Sequence, residues 1–403
     1  MGEVAAPTRN LISVEEAQGL ILEHVEPLPE ESVSLRDALG RVLAGPATAA
    51  VDLPPFDSSA MDGFALRSAD TPGQLPVVHR IAAGSPALRA LETGEAMGIA
   101  TGGAVPAGAD AVIPFEYVVD NDNTVAIESP VEAGANVRPA GGDIRVGETV
   151  VETGTHLEAR HLAALAAAGI AEVQVAPRPR VAVVVTGSEL RTPGEPLAPG
   201  QIYEANGILL EGQLRSAGAE VERSGSIADE EAAHRDALAR GLEADVLVTS
   251  GGVSVGPHDL VRSVLAELGV EEVFWGVSVK PGKPISFGVA ERRLVFGLPG
   301  NPVSVLVGFE LFVRPALLAL QGSRDPGPRF ERGILGASLA RNPVRDELVR
   351  ARIRRPSDGP VLEPLAGRES HMIARAAGAN ALVRIPRGEG VVTEGDAVEF
   401  LRI

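Results

Sequence analysis

The 403-residue chain has no cysteine, which excludes disulfides, thiolate-bound metals and a cysteine nucleophile. Nothing therefore argues for an oxidising compartment, and the expected location is cytoplasmic. Aromatic residues make up only 3 % of the chain, so Val, Leu, Ile and Ala must fill its cores. Positive charge is also short: 36 Lys and Arg against 54 Asp and Glu give a formal net charge of −18. Such a surface repels nucleic acid and anionic membranes, so neither is an expected partner, and an anionic substrate must be captured locally. The first ten residues, MGEVAAPTRN, carry Glu3 and no apolar run, so they do not read as a secretory signal. The stretch from Pro302 to Leu320 is broken by Glu310 and Arg314 and reads as a buried helix, not a membrane span.

What is present is globular composition, 45 % hydrophobic and 22 % charged, with 46 Gly and 31 Pro scattered without period. The length calls for about two to four domains. Ser13-Val14-Glu15-Glu16 is a capping box, and Val14, Ala17, Leu20, Ile21 and Val25 recur at helical spacing behind it. A second helix is expected across Leu35 to Leu43. From Ala47 to about Asp143 short β-prone runs, such as Pro76 to Ile81 and Ala111 to Val119, alternate with Gly, Pro and Asn-Asp breakers. This reads as a β-rich insertion, after which a helix over Leu157 to Ala168 ends at Gly169.

The stiff segment Ala176-Pro177-Arg178-Pro179-Arg180 precedes the apolar run VAVVV, which has the pattern of a buried strand. Strand and helix signals then alternate to Val277, predicting a mainly parallel α/β sheet. A second hinge, GSRDPGP at 322–328, precedes short β-prone runs that suggest a small barrel.

In an open parallel sheet ligands gather beyond the carboxyl ends of the strands. Four post-strand segments stand out: Thr186-Gly187-Ser188-Glu189, the run from Ser250 to Gly256, Lys280-Pro281-Gly282-Lys283-Pro284, and the run from Gly297 to Ser304. The small residues Ser250, Gly251, Gly252 and Ser254 let backbone amides approach a phosphate; an ordinary tight strand-to-helix connection is the alternative. Lys280 and Lys283 flank a Pro-Gly turn, which suits an anion between them unless they are simply solvated. Glu189, Asp229 and Asp259 lie on three loops at one sheet edge, where carboxylates could hold Mg²⁺ beside phosphates; each could equally be a cap or a solvated acid. Asn301 could serve only to tie its loop together. Zinc is not expected, because His156 and His161 are off one-turn spacing and His258 and His371 lack partners.

Nine segments in order, PPFDSSAMDGFA, TGGAVPAGADAV, VRPAGGDIRVGE, VVTGSEL, GQIYEAN, TSGGVSVGPHDL, VKPGKP, FGLPGNPVSVLVGFELFVRPAL and SHMIARAAGANAL, resemble the molybdopterin molybdenumtransferase family, which includes the gephyrin E domain. The resemblance implies a multidomain α/β protein: a discontinuous domain I at 1–45 and 146–177, a β-rich domain II at 46–145, an α/β molybdopterin-binding domain III at 178–327, and a β-barrel domain IV at 328–403. It implies an elongated homodimer whose cleft combines domains III and IV of one subunit with domain II of the other. That gives Asp62, Thr101 and Asp143 a catalytic role that composition does not.

By the same resemblance Glu189, Asp229, Ser254, Asp259, Lys280 and Lys283 line the domain III cleft, with Pro299, Asn301 and Ser304 beside the substrate. Arg350 and Ser370 resemble positions that bind molybdate together with the two lysines. The implied reaction is Mg²⁺-dependent insertion of molybdate into adenylyl-molybdopterin with release of AMP, and the upstream adenylyltransferase is a candidate partner. Three positions depart from the family pattern: Ser188 for Asp, Glu204 for Asp and Ser58 for Asn. Two rival readings are a pterin adenylyltransferase, which shares only the domain III fold, and a non-catalytic gephyrin-like scaffold.

Overall fold

The computed structural model describes residues 11–224, 227, 230–252, 260–357 and 359–403. Helix α1 (Val14–Glu23) starts where the Ser13 hydroxyl accepts the Glu16 amide at 3.0 Å, and it buries Val14, Ala17 and Ile21 along one stripe. That stripe packs into the core of the α/β layer, far along the chain, together with Leu317 and Leu320. The expected helix over 35–43 does not form. Gly40 turns left-handed at φ +73°, and the amides of Gly40, Leu43 and Ala44 donate to Leu157, Thr155 and Gln174. Nine residues make a marginal helix, and these long-range pairings offer the backbone better partners.

On either side of the β-rich stretch the chain pairs with itself: Glu31–Ser34 with Glu172–Val175, and Ala47–Thr48 with Thr149–Val151. Helix α2 (Ala159–Ala167) covers this layer and ends at Gly169, φ +82°. The β-rich stretch folds as a six-stranded mixed sheet in which Gly63–Leu66 lies between Ala96–Ile99 and Ala111–Pro114. Its two faces bury separate clusters, one around Phe64 and Ile113 and the other around Ile81 and Met97.

The α/β layer follows β1 (Arg180–Val185), α3 (Asn206–Ser216), β2 (Glu220–Arg223), α4 (Glu231–Gly241), β3 (Val246–Ser250), α5 (Leu260–Glu267), β4 (Glu271–Trp275), β5 (Val279–Lys280), β6 (Ser286–Ala290) and β7 (Arg293–Leu298). Six of these strands form one sheet in the order β2-β1-β3-β7-β6-β4. The first four are mutually parallel, but β6 runs antiparallel to β7, and β4 antiparallel to β6. The sheet is therefore mixed at one side. The β6–β7 hairpin turns through Glu291 and Arg292, with Glu291 at φ +55°, and lacks the Asn-Gly or Gly signature that marks most such turns in sequence.

Helices α6 (Pro302–Gly308) and α7 (Arg314–Leu320) are joined by a π-helical turn over Phe309–Val313. This run is long and apolar enough to cross a membrane by composition, yet 83 % of its apolar window is buried inside the protein. After residues 322–328 come β8 (Glu331–Leu335), β9 (Asp346–Arg354), β10 (Val361–Pro364), β11 (Ala381–Ile385) and β12 (Ala397–Arg402). They close into a five-stranded barrel in the order β9-β10-β8-β12-β11, with β11 returning to β9. Strand β5 leaves the α/β layer and adds to β9, pairing Val279 with Asp346 and Lys280 with Glu347. Leu348, Leu382 and Leu401 of the barrel belong to the same core as the α/β sheet.

Candidate functional site

Strands β1, β3 and β7 are parallel neighbours, so the loops leaving their carboxyl ends meet at one edge. The Thr186 amide donates to the Ser250 carbonyl at 3.1 Å, and the Gly251 amide to the Leu298 carbonyl at 3.1 Å. Gly251 has φ +92°, and a methyl group there would fall 2.7 Å from the Thr186 carbonyl oxygen. Gly252 has φ +62° and would meet Val261 Cγ2 at 2.5 Å. Both positions thus require glycine twice over, by conformation and by close approach.

Ser250 is 1 % exposed. Its hydroxyl donates to the Pro299 carbonyl at 3.3 Å and accepts from the Asn206 amide at 2.9 Å. Asn206, the first residue of α3, also donates to the Gly300 carbonyl at 2.8 Å. Sequence reasoning passed over Asn206; its only signal was a polar residue closing the GQIYEAN segment. It fixes two of the expected substrate loops to one another, which makes Ser250 and Pro299 part of the scaffold of this edge. Glu204, one of the departures, is buried and accepts the Gly207 amide at 2.6 Å while pairing with Arg223. Its extra methylene relative to Asp is used within the fold. Ser58, another departure, is buried in the pairing with Arg138.

Glu189 is exposed, and its carboxylate turns back over the Gly187 Cα, where an added methyl would meet it at 2.7 Å. Asp229, Ser254 and Asp259 lie outside the described residues. Among the described residues no group of three His, Cys, Asp or Glu is close enough to hold a metal ion.

The barrel reaches this edge through two joints. At the first, the Asn301 amide donates to the Ser370 hydroxyl at 2.9 Å, and the Val303 amide donates to the Ser370 carbonyl at 3.0 Å. Ser304 is buried in the first turn of α6, directly behind Asn301. At the second, the Lys280 ammonium lies 3.4 Å from the Glu347 carboxylate, which Arg368 also engages at 2.5 Å. Lys283 is exposed on the same turn.

Arg350 is the residue that the resemblance assigns to molybdate binding. It is 4 % exposed, and its guanidinium donates to the carbonyls of Gly367, Glu369 and Met372. Burial pulls it below the ordinary arginine value, with Glu369 opposing. In this arrangement its fork shapes the 367–372 loop that presents Ser370, since those donors are already committed to carbonyls.

A second constellation forms in the β-rich insertion. The Asp62 carboxylate accepts the Thr101 amide at 2.6 Å and its hydroxyl at 2.9 Å. These bonds hold the Asp62 carboxyl below the usual carboxylate range. Ser59 exchanges backbone bonds with Gly102 and Gly103, and Ser58 and Ser59 pair with Arg138 and Val137. The Gly141 and Asp143 amides donate to Pro54 and Leu53. Three loops remote in sequence are thereby one surface, with Asp62, Thr101 and Asp143 all exposed.

Comparison with known proteins follows the same division. The "MoeA N-terminal region (domain I and II)" family matches residues 12–169, the "Probable molybdopterin binding domain" 182–319, and the "MoeA C-terminal region (domain IV)" 332–403. Molybdopterin molybdenumtransferase 2 of Mycobacterium tuberculosis is 38 % identical over 404 aligned positions, covering 96 % of this chain and 98 % of the relative. The chain belongs to the MoeA family. Molybdopterin molybdenumtransferase of Staphylococcus aureus is 32 % identical, covering 98 % of this chain and 96 % of that one. The crystal structure of the molybdopterin biosynthesis MoeA protein from Pyrococcus horikoshii OT3 superposes with a TM-score of 0.84 at 31 % identity, covering 98 % of this chain and all of that one (100 %). The MoeA architecture, a mixed α/β layer joined to a closed five-stranded barrel, is the fold of this chain.

Proposed function

We propose that this chain is a molybdopterin molybdenumtransferase, inserting molybdate into adenylyl-molybdopterin with Mg²⁺-dependent release of AMP in molybdenum cofactor biosynthesis. The observation that carries this reading is the full-length match to relatives of that name. The geometry supports it: the glycine-built edge at 250–252 lies against Gly300, next to the Asn301–Ser370 joint with the barrel, and Lys280 meets the barrel at Glu347.

Each residue of the site then has a task. The backbone at Gly251 and Gly252 admits a phosphate closely, because no side chain intervenes. Lys280 and Lys283 supply positive charge and ammonium donors for a tetrahedral dianion, and the Ser370 hydroxyl, turned by Asn301, supplies a neutral donor. Pro299, whose carbonyl holds Ser250, and Ser304, buried behind Asn301, would back the substrate at this edge. Glu189 offers hard oxygen donors at the same edge, the chemistry Mg²⁺ requires, and with Asp229 and Asp259 would hold it. When bound, Mg²⁺ would neutralise charge that develops as the phosphoanhydride breaks. No protein thiolate is called for, in keeping with a chain that has no cysteine.

The three loops carrying Asp62, Thr101 and Asp143 hydrogen-bond within the insertion. They would complete the cleft of a second copy in a cytoplasmic homodimer, which the upstream adenylyltransferase could supply with substrate. The deciding experiment gives purified protein adenylyl-molybdopterin and Mg²⁺ with and without molybdate, and follows AMP and the metal-bearing pterin. Molybdate-dependent AMP release is expected. Adenylate formation from ATP would instead identify an adenylyltransferase, and neither product would leave a scaffold.

A further inference from the structure

Glu347 is a buried carboxylate. It is 3 % exposed at the start of β9. A buried acid is costly unless paired. Here it is paired twice, and its two partners arrive from different parts of the chain. Lys280 comes from the α/β layer, brought into register with Glu347 by the β5–β9 ladder. Arg368 comes from the barrel loop, with Nε 3.1 Å from Oε1 and a terminal nitrogen 2.5 Å from Oε2.

Two cations share one buried carboxylate, so this spot carries a net positive charge. Neither cation is itself buried: the Lys280 and Arg368 side chains are 39 % and 32 % exposed. The direction of Arg368 is also fixed. The carbonyls of its neighbours Gly367 and Glu369 are both held by the Arg350 guanidinium, and Ser370 follows two residues later, bonded to Asn301. Arg350, Arg368 and Glu347 thus form one relay: the first shapes the loop, the second lies on it, and the third ties the second to Lys280.

We infer that Arg368 is a further basic group of the oxyanion site and that Glu347 is the positioning residue that holds Arg368 and Lys280 together for a tetrahedral dianion. This rests on the transferase reading for the site's location, and it names a specificity element that reading did not contain. With Nε and one terminal nitrogen held by Glu347, Arg368 keeps its other terminal nitrogen and its charge for a tetrahedral dianion, a directed donor beside the mobile ammonium of Lys280.

The test measures binding of sodium molybdate alone to the intact protein by calorimetry, and in parallel the molybdate dependence of AMP release. Arg368→Ala should weaken molybdate binding about tenfold or more, the scale of one charge-assisted bond. Arg368→Lys should recover part of that loss, because the charge returns without the guanidinium's fixed direction. Glu347→Gln should raise the half-saturating molybdate concentration more than it lowers maximal turnover, and Glu347→Asp should rescue it in part. Thermal melts identify variants that fail to fold, and Arg368→Lys, which keeps the ion pair, remains informative if Glu347 variants do not fold. Unchanged molybdate affinity in Arg368→Ala, or no molybdate binding by the wild type, overturns the inference. A wild type that binds molybdate, more weakly after Arg368→Ala, yet releases no AMP would overturn the transferase reading and leave this one standing.

Discussion

The Asn301 side-chain amide donates to the Ser370 hydroxyl at 2.9 Å, from the loop before α6 to a loop of the barrel. A bond between an exposed and a half-buried side chain is a modest contributor, so Asn301→Ala and Ser370→Ala should each lower unfolding free energy by about 0.5–1.5 kcal/mol. The double variant should cost no more than the larger single change, because the second substitution removes a group whose partner is already gone. Equilibrium denaturation of the four proteins measures this, and strict additivity would show that the pair is not coupled.

Glycine at two positions should respond with opposite signs. Gly251→Ala places a methyl 2.7 Å from the Thr186 carbonyl at φ +92°, and about 1–3 kcal/mol of destabilisation is expected. Gly19, inside α1 with nothing within 4 Å of an added methyl, should gain about 0.5–1 kcal/mol on conversion to Ala. Thermal melts of the two variants would settle the matter, and two shifts in the same direction would contradict it.

Asp62 predicts a pH dependence. Its folded carboxyl titrates below the value of 3.8 usual for the unfolded chain, with the Thr101 amide as the first cause and the Thr101 hydroxyl as the second. A depressed carboxyl contributes stability that is present above the unfolded value and is lost as pH falls through the folded one. Thr101→Val removes the hydroxyl bond, so the stability gap between this variant and wild type should be widest near neutral pH and should close in acid. Carboxyl-carbon NMR titration should also show Asp62 moving up towards its usual value in Thr101→Val. A titration point unchanged by the substitution would assign the depression to the amide alone.

Glu204→Ala should be costly. It strips the Gly207 amide of its 2.6 Å acceptor and, among the described residues, leaves Arg223 with the more distant Glu211, 3.8 Å away, so about 2–3 kcal/mol is expected. Glu204→Gln keeps an acceptor for the amide and should lose less. Chemical denaturation gives the order, and an Ala variant as stable as wild type would remove Glu204 from the scaffold of α3.

Removing metal addresses the acidic edge. Chelation should abolish molybdate-dependent AMP release and added Mg²⁺ should restore it, while Glu189→Gln should raise the Mg²⁺ needed for half-maximal release about tenfold or more, as loss of one charged oxygen donor would. Release insensitive to chelator would exclude Glu189 from metal binding.

Much of the fold could be read from residue pattern because local signals and tertiary packing agreed. The Ser13 cap, the VAVVV strand and the alternation from Val181 onward all appear where periodicity placed them. The helix expected over 35–43 failed because its amides found distant carbonyls, and the β6–β7 hairpin escaped notice because Glu291 and Arg292 carry no turn signature. At the candidate site, Gly251, Gly252 and Lys280 stand out by composition. Asp62, Thr101 and Asp143 do not, since their loops look like ordinary surface until Ser58 and Ser59 are seen to knit them together. Glu347 and Arg368 were invisible for a related reason: neither is unusual on its own, and only the β5–β9 register brings Lys280 to them.

That register has a consequence for how the molecule is made. Val14 and Ile21 near one end of the chain, and Leu382 and Leu401 near the other, lie in a single apolar cluster with the α/β sheet. During synthesis the cluster cannot close until Leu401 has left the ribosome, so the nascent α/β layer emerges with an open seam. The β-rich insertion, with its own two clusters, can fold long before that. Order of completion therefore runs outward from the β-rich insertion, and the core shared by α1, the α/β sheet and the barrel is the last to close.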